Sequence, residues 1–152
     1  MHRIITRIEP KDDLYILATF ADGEVVSFDV KSMFEKYPIF RLLEDQELFH
    51  NVKVDGIGYG ISWNDEIDLS SDGIYLRGEH VGKTDPEPRI LLGQAVAEAR
   101  ESMSMSQRQL SRNSGVMQAE ISKIEQGKGN PTLLTLQKLA KSLGRTIASL
   151  LI

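Results

Sequence analysis

The chain has 152 residues, a formal net charge of −4 and no cysteine. The length allows one medium domain or two small ones, and the missing cysteine excludes disulfides, thiolate metal sites and a cysteine nucleophile. The start, MHRIITRIEP, lacks the apolar stretch of a secretory signal, and no apolar run approaches the roughly 20 residues that span a bilayer. We therefore expect a cytoplasmic protein.

The charge is divided unevenly along the chain. Residues 1 to 86 contain 9 Lys and Arg against 17 Asp and Glu, a net charge of −8, whereas residues 87 to 152 contain 9 against 5, a net charge of +4. A basic segment is attracted to phosphates and an acidic one is repelled by them. The two halves are expected to face different partners.

The first half begins with patterns typical of β-strands. An alternating segment starts at Ile4, and Leu14 to Phe20 is rich in residues that favour strands. Asp22-Gly23 suits the positive φ angle of a tight turn, and Glu24 to Val30 can pair back as the next strand. These residues predict a β-hairpin or a meander.

Short helices and a second hairpin follow. Ser32 is predicted to cap a short helix that Pro38 stops, and Phe40 to Phe49 to form one or two helical turns. The later elements are a strand at Asn51 to Val54, a hairpin of Tyr59 to Trp63 with Glu66 to Leu69 across Asn64-Asp65, and a helix after Ser70-Ser71-Asp72. Residues 1–82 are therefore predicted to form an α+β domain of antiparallel hairpins and short helices.

Residues 83 to 89, KTDPEPR, contain two prolines and no periodic apolar face. Such a segment predicts a stiff, extended linker of about 20 Å, at about 3.1 Å per residue. We place the domain boundary here and assign residues 90–152 to a second domain.

Beyond the linker, apolar residues follow helical spacing. Helix starts are indicated at Ser106, Pro131-Thr132 and Thr146, and helix ends at Gly115, Gly127 and Gly144. The predicted inward residues are Leu92, Val96, Ala99, Met103, Met105, Leu110, Ile121, Ile124, Leu133, Leu136, Leu139 and Leu143. Five helices in residues 90–152 predict one core.

The sequence from Leu92 onward resembles the Xre family of phage-repressor-like helix-turn-helix domains. The resemblance rests on the frame SQ…G…ISKIE.G…P…L…LA..L, kept with all its spacings between Ser106 and Leu143. It implies an all-α, five-helix, lambda-repressor-like DNA-binding domain. In such a domain the third helix reads DNA.

The third helix has a polar face. With Ile121 and Ile124 turned inward, its outer residues are Gln118, Ala119, Ser122 and Lys123. In the major groove, Gln can pair with adenine, Ala can touch a thymine methyl group, and Lys can reach guanine or a phosphate. We predict that these four residues read bases.

Four other residues are predicted to contact the DNA backbone: Gln107, Arg108, Lys128 and Asn130. Gln107 opens the second helix, where free amides and the helix dipole favour a phosphate. The resemblance implies that a Gln there also braces the first residue of the reading helix, here Gln118. It further implies that Arg100 and Glu125 form an ion pair that serves the fold.

Three positions depart from the family pattern. Met117 stands where Ser or Thr usually caps the reading helix, Ser111 replaces a customary Ala, and Ser114 replaces an apolar residue. The lost cap removes about 1 kcal/mol. These changes leave room for a marginally stable domain or an altered angle of the reading helix in the groove.

The first half resembles an uncharacterised small bacterial α+β family. The matching features are Asp22-Gly23-Glu24 between two strands, the pattern P.F..L.D..LF from Pro38 to Phe49, and the ending W…DL.SD.LY from Trp63 to Tyr75. Members tend to be encoded beside, or fused to, regulators and toxin-like small proteins. The resemblance implies a sensing or partner-binding domain and names no reaction.

An enzymatic interpretation of the first half rests on Asp65, Glu66 and Asp68 beside Trp63. Carboxylates near an aromatic ring can perform acid–base chemistry on a sugar. Turns commonly use these residue types, so a turn at Asn64-Asp65 is the preferred interpretation. We expect no enzymatic activity.

The three histidines, His2, His50 and His80, lack the i, i+4 spacing of a helical metal pair, and no metal or other cofactor is expected.

The leading prediction is a sequence-specific DNA-binding transcriptional regulator, a repressor acting as a homodimer on a palindromic double-stranded operator. Residues 146–152 or the N-terminal domain are expected to dimerise. A more specific version is an antitoxin that regulates its own operon, its N-terminal domain holding a toxin-like protein; the alternative there is a small ligand. An interaction scaffold that never binds DNA and a carboxylate-dependent hydrolase are the other hypotheses.

Overall fold

A computed structural model describes residues 3–151. The chain forms two compact units, Met1–Pro86 and Glu87–Ile152. Met1, His2 and Ile152 lie outside the described residues. The predictions made for His2 and for the last residue of the segment 146–152 therefore lie outside them too. Among residues 3–151, no helix combines the length and the apolar character that crossing a membrane requires.

The N-terminal unit is built on a four-stranded antiparallel sheet. Its strands lie side by side in the order β1 (Ile5–Pro10), β2 (Tyr15–Phe20), β3 (Glu24–Asp29) and β7 (Glu79–Lys83). The predicted turn between β2 and β3 is confirmed. Gly23 has a φ of +91°, and Oδ1 of Asp22 accepts a hydrogen bond from the amide of Glu24 at 3.0 Å.

A smaller antiparallel sheet completes the unit with β4 (Lys53–Val54), β5 (Gly60–Ser62) and β6 (Asp68–Ser70). The hairpin predicted across Asn64-Asp65 is confirmed, because Oδ1 of Asn64 accepts hydrogen bonds from the amides of Glu66 and Ile67 at 2.9 and 2.8 Å. Trp63, beside this turn, packs against Phe40 and Phe49 in the apolar core.

Aspartate and serine side chains cap three short helices of this unit. Helix α1 (Gln46–His50) is capped by Asp45 and α2 (Ser71–Arg77) by Ser70, while Val30–Met33 and Pro38–Glu44 are 3-10 helices. The prediction of Ser32 as a cap is wrong. Asp29 takes that place, because its carboxylate at the end of β3 accepts a hydrogen bond from the amide of Lys31 at 2.9 Å.

The sequence patterns do not predict β7. All five of its residues are exposed, so it lacks the apolar alternation that marks a half-buried strand. It pairs with β3, which sets Glu24 opposite Lys83 and Val26 opposite His80. Lys83 therefore belongs to a strand and Pro88 begins a helix, so the irregular connection is residues 84–87 and is shorter than the predicted linker 83–89.

His80 connects β7 to β3 and to α2 through two hydrogen bonds. Its Nδ1 lies 2.7 Å from Oε2 of Glu24, and its Nε2 lies 2.9 Å from the carbonyl oxygen of Tyr75. Both partners are acceptors, so both ring nitrogens must carry a proton to make the two hydrogen bonds. The hydrogen bond with Glu24 is the main cause that raises the pKa of His80, and the same bond, with that from Lys83, lowers the pKa of Glu24.

We expect this pair to stabilise the N-terminal unit most between pH 4.5 and pH 6.5, the ordinary pKa values of Glu24 and His80. The His80 contribution is complete below its unfolded pKa and is lost as the pH rises through its raised folded pKa. The Glu24 contribution is complete above its unfolded pKa and is lost as the pH falls through its lowered folded pKa.

Urea unfolding followed by the fluorescence of Trp63, the single tryptophan, measures the difference between wild type and His80→Gln at each pH. His50→Gln is the control, since the ring of His50 contacts the backbone carbonyl of Gln46. A difference for His80→Gln that stays the same from acidic to alkaline pH would contradict the expectation.

Within residues 87–151 the C-terminal unit contains five helices, α3 (Pro88–Ser102), α4 (Gln107–Ser114), α5 (Gln118–Glu125), α6 (Leu133–Ser142) and α7 (Ile147–Leu151). Their buried apolar core consists of Leu92, Val96, Ala99, Leu110, Val116, Ile121, Ile124, Leu136, Leu139, Ala140, Leu143 and Leu150. The predicted fold class, an α+β region followed by an all-α five-helix region, is confirmed.

Two residues predicted to face this core are exposed, Leu133 by 72% and Met103 by 48%. Thr132 caps α6 by accepting a hydrogen bond from the amide of Thr135 at 3.2 Å, so Leu133 lies in the first turn of the helix, outside the core. Met103 follows the last turn of α3, and Met105 packs against the core.

Candidate nucleic-acid interface

Helices α4 and α5 are joined by a tight turn. A capping box starts α4, in which Oγ of Ser106 accepts a hydrogen bond from the amide of Gln109 at 3.1 Å and Oε1 of Gln109 accepts one from the amide of Ser106 at 2.7 Å. Gly115 ends the helix with a φ of +77°, the left-handed conformation predicted for it. Oγ of Ser114 accepts a hydrogen bond from the amide of Val116 at 3.1 Å, which gives this departure from the family pattern a role in the turn.

Helix α5 has one buried face and one outward face. Ile121 and Ile124 are 0% and 2% exposed and belong to the core. The residues predicted to read bases lie on the other face, where Gln118, Ala119 and Lys123 are exposed and Ser122 is half-buried. Oγ of Ser122 accepts a hydrogen bond from Nε2 of Gln126 at 2.9 Å, so this hydroxyl is partly engaged within the helix.

Gln107 does not brace Gln118. Its Nε2 donates a hydrogen bond to Oε2 of Glu125 at 2.8 Å, and in the described part of the chain no hydrogen bond joins it to Gln118. A carboxylate is a stronger acceptor than an amide oxygen. The side chain of Gln107 is therefore held by the last residue of α5. Gln107 is the first residue of α4, as predicted.

The predicted ion pair of Arg100 and Glu125 is present. Nε and Nη2 of Arg100 donate to the two carboxylate oxygens at 2.7 and 3.0 Å, and Nη1 donates to the carbonyl oxygen of Met105 at 2.7 Å. The side chains are 12% and 8% exposed, and the hydrogen bond with Glu125 raises the pKa of Arg100. The pair connects α3, the turn before α4 and the last residue of α5.

The other predicted backbone contacts flank α5. Arg108 is exposed in the first turn of α4, and Lys128 and Asn130 are exposed in the loop after α5. The amides of Lys128 and Gly129 both donate to the carbonyl oxygen of Lys123, at 2.9 and 3.0 Å, and so hold this loop against the helix. A side chain at Gly129 would meet the backbone of α5 at 3.0 Å, a requirement that the sequence patterns did not reveal.

Met117 occupies the cap position of α5 without capping it. Its backbone is extended, with φ −60° and ψ 138°, its side chain makes no cap hydrogen bond, and the residue is 72% exposed. Ser or Thr at such a position stabilises a helix by about 1 kcal/mol.

The carboxylates proposed for a hydrolase do not share an open site with Trp63. Asp65, Glu66 and Asp68 are exposed, whereas Trp63 is 1% exposed and donates its Nε1 hydrogen to the carbonyl oxygen of Phe49 at 3.1 Å. The ring belongs to the core and cannot stack on a sugar beside these carboxylates.

A capped helix, a left-handed glycine turn and a second helix with a polar outer face define a helix-turn-helix protein, a class whose second helix enters the DNA major groove. The sequence model of the family described as "Helix-turn-helix" matches residues 96–150, and that described as "Protein of unknown function (DUF2442)" matches residues 5–80. The chain belongs to the helix-turn-helix transcriptional regulators, with an N-terminal domain of the DUF2442 family.

Known proteins are similar to part of this chain. An uncharacterized HTH-type transcriptional regulator of Haemophilus influenzae is 42% identical over 60 residues, which are 40% of this chain and 61% of that protein. Another, of Sinorhizobium fredii, is 38% identical over 56 residues, 37% of this chain and 73% of that protein. Among solved structures, the restriction-modification controller protein C.AhdI from Aeromonas hydrophila has 29% sequence identity to this chain. The match covers 41% of this chain and 94% of that chain, with a TM-score of 0.40. The chain thus spans less than two thirds of the first relative.

Proposed function

We propose that the protein is a sequence-specific transcriptional repressor that binds a palindromic, double-stranded operator as a homodimer. The outward face of α5 carries the proposal, because its polar residues are exposed while Ile121 and Ile124 are buried. Gln118 pairs with adenine, Ala119 touches a thymine methyl group, and Lys123 reaches guanine or a phosphate. Ser122 lies on the same face. Its hydroxyl oxygen accepts a hydrogen bond from Gln126, and its hydroxyl hydrogen is donated to a base.

The DNA backbone is held from both ends of this face. Arg108, Lys128 and Asn130 are exposed and contact phosphates, and Gln107 contributes through its position at the first turn of α4 while Glu125 holds its side chain. Such contacts set the register of the protein on the duplex and carry no sequence information. The net charge of +4 in residues 87 to 152 supports this arrangement.

Two copies are needed for selectivity, since one helical unit of this charge makes few contacts. Dimers of this class place two reading helices about 34 Å apart on a palindrome. Residues 146–152 or the N-terminal unit bring the copies together. Leu151 in α7 is 57% exposed, which supports the first of these two surfaces.

Selection of bound genomic fragments by the purified full chain tests the proposal. We expect an enriched palindrome whose half-sites lie one helical turn apart and a dimer in sedimentation. The double variant Gln118→Ala, Lys123→Ala is the control and should enrich no common sequence. If the wild type enriches nothing and binds no DNA in a salt-dependent way, the interaction-scaffold hypothesis replaces this one.

Replacing Lys128 by Ala should weaken binding evenly across sequences. A lost phosphate contact removes counterion release, so the slope of log K against log salt should fall by about one unit per protomer. Lys141→Ala, an exposed lysine of α6, is the matched control and should keep the slope. A loss that differs between operator and unrelated duplexes would assign Lys128 to base reading instead.

We further propose that the N-terminal unit binds a partner protein and that the chain is an antitoxin regulating its own operon. Residues 1 to 86 have a net charge of −8, which favours a basic partner. Ile39 and Leu42, 39% and 54% exposed, lie three residues apart in a 3-10 helix and so share one face.

Coexpression with the products of adjacent reading frames tests this version. A basic product should copurify with the wild type and be lost with Leu42→Asp. If no product binds and a small molecule instead raises the unfolding temperature reported by Trp63, the ligand-sensing alternative replaces it.

A further inference from the structure

Met117 is the one cap residue among α4, α5, α6 and α7, within the described residues, that has no hydroxyl. Ser106, Thr132 and Thr146 each accept a hydrogen bond from the amide three residues on, at 3.1, 3.2 and 3.1 Å. The thioether of Met117 accepts none. Helix α5 therefore begins with a side chain that does not serve the helix.

Packing within the helical unit does not account for Met117 either. Its neighbour Val116 is 5% exposed and belongs to the core, whereas Met117 is 72% exposed. A large apolar side chain in water at a position where Ser or Thr would stabilise the helix breaks two local rules together. Such departures are expected at functional sites.

The position of Met117 indicates what it contacts. It directly precedes Gln118 and Ala119, which are exposed at the start of α5. In helix-turn-helix proteins the N-terminal residues of the second helix reach the base edges. Methionine is long, flexible and apolar, so it is suited to an apolar group and unsuited to a phosphate.

The apolar group that the major groove offers is the C5 methyl of thymine. A methylated cytosine carries the same group at the same place. We infer that Met117 is a specificity-determining residue that contacts the C5 methyl group of a pyrimidine in each half-site. The inference rests on the proposed function, because it requires α5 to lie in the major groove.

Single replacement of each thymine by deoxyuridine, in the duplex recovered by fragment selection, tests the inference, since the change removes only the methyl group. Wild type should lose about fourfold in affinity at one thymine per half-site, the factor for one buried methyl group. Met117→Ser should bind both duplexes equally at that position and unfold at a higher temperature, because Ser caps α5. Met117→Leu should keep the discrimination.

Further measurements distinguish Met117 from its neighbours and thymine from methylated cytosine. Gln118→Ala should bind more weakly and still discriminate thymine from uracil at the Met117 position. If cytosine methylated at C5 binds better than both cytosine and thymine there, the methylated base is the source, and if thymine binds best, thymine is.

Two outcomes overturn the inference alone, with specific binding by the wild type intact. One is that wild type and Met117→Ser give equal ratios at every position, both of thymine to uracil and of C5-methylated to unmodified cytosine. The other is loss of the discrimination with Ala119→Gly and not with Met117→Ser. A wild type without any sequence-specific binding overturns the proposed function, and the inference with it.

Discussion

Replacing Gln118 by Ala is expected to weaken binding to the selected operator by about 1 to 3 kcal/mol per half-site, roughly 5- to 150-fold. The residue is exposed at the start of α5, and a Gln at that place can make two hydrogen bonds to adenine. Fluorescence anisotropy at fixed salt, with operator and unrelated duplexes in parallel, measures the loss.

The loss for Gln118→Ala should be confined to the operator and should relax the preference at one base pair. Gln137→Ala, which removes an exposed glutamine of α6, is the matched control and should leave both affinities unchanged. An equal loss on operator and unrelated DNA would place Gln118 on the backbone and move base reading to other residues.

Replacing Glu125 by Ala is expected to lower the free energy of unfolding of the helical unit by about 3 kcal/mol. The change leaves Arg100, 12% exposed, with only the exposed carboxylate of Glu101, 3.5 Å from its Nη2, and also removes the acceptor for Nε2 of Gln107. Urea unfolding followed by far-UV circular dichroism measures the effect on the helices. Trp63 fluorescence, which reports the N-terminal unit, should keep its midpoint.

Glu120→Ala is the control for this experiment, because Glu120 is an exposed carboxylate of the same helix. The double variant Arg100→Met, Glu125→Leu should recover much of the stability, since it removes the buried charge along with its partner. Equal midpoints for Glu125→Ala and Glu120→Ala would show that the ion pair adds little.

Local chemistry made much of the helical unit predictable. Ser106, Gly115 and Thr132 act on the backbone within a few residues, and their effects do not depend on the rest of the fold. Ile121 and Ile124 follow the period of a helix that has one buried side. The turn at Asp22-Gly23 is predictable for the same reason.

Other features depend on contacts between residues far apart in sequence. Strand β7 carries no apolar alternation and exists because β3 pairs with it. Gln107 could be placed at the start of α4 from the sequence, but its amide finds Glu125 only because α4 and the end of α5 lie together. Leu133 fits helical spacing and is nevertheless exposed, since the buried face of α6 begins one turn later, at Leu136.

The sequence by itself determined the class of the protein, because the helix-turn-helix frame is a set of short-range signals in fixed register. It also determined which four residues of α5 are candidates for reading bases. Only the tertiary structure decided that Trp63 is closed off in the core, that Glu125 holds both Arg100 and Gln107, and that Met117 stands in solvent at the entrance to α5. Burial and partner choice are properties of the assembled chain, and no local pattern contains them.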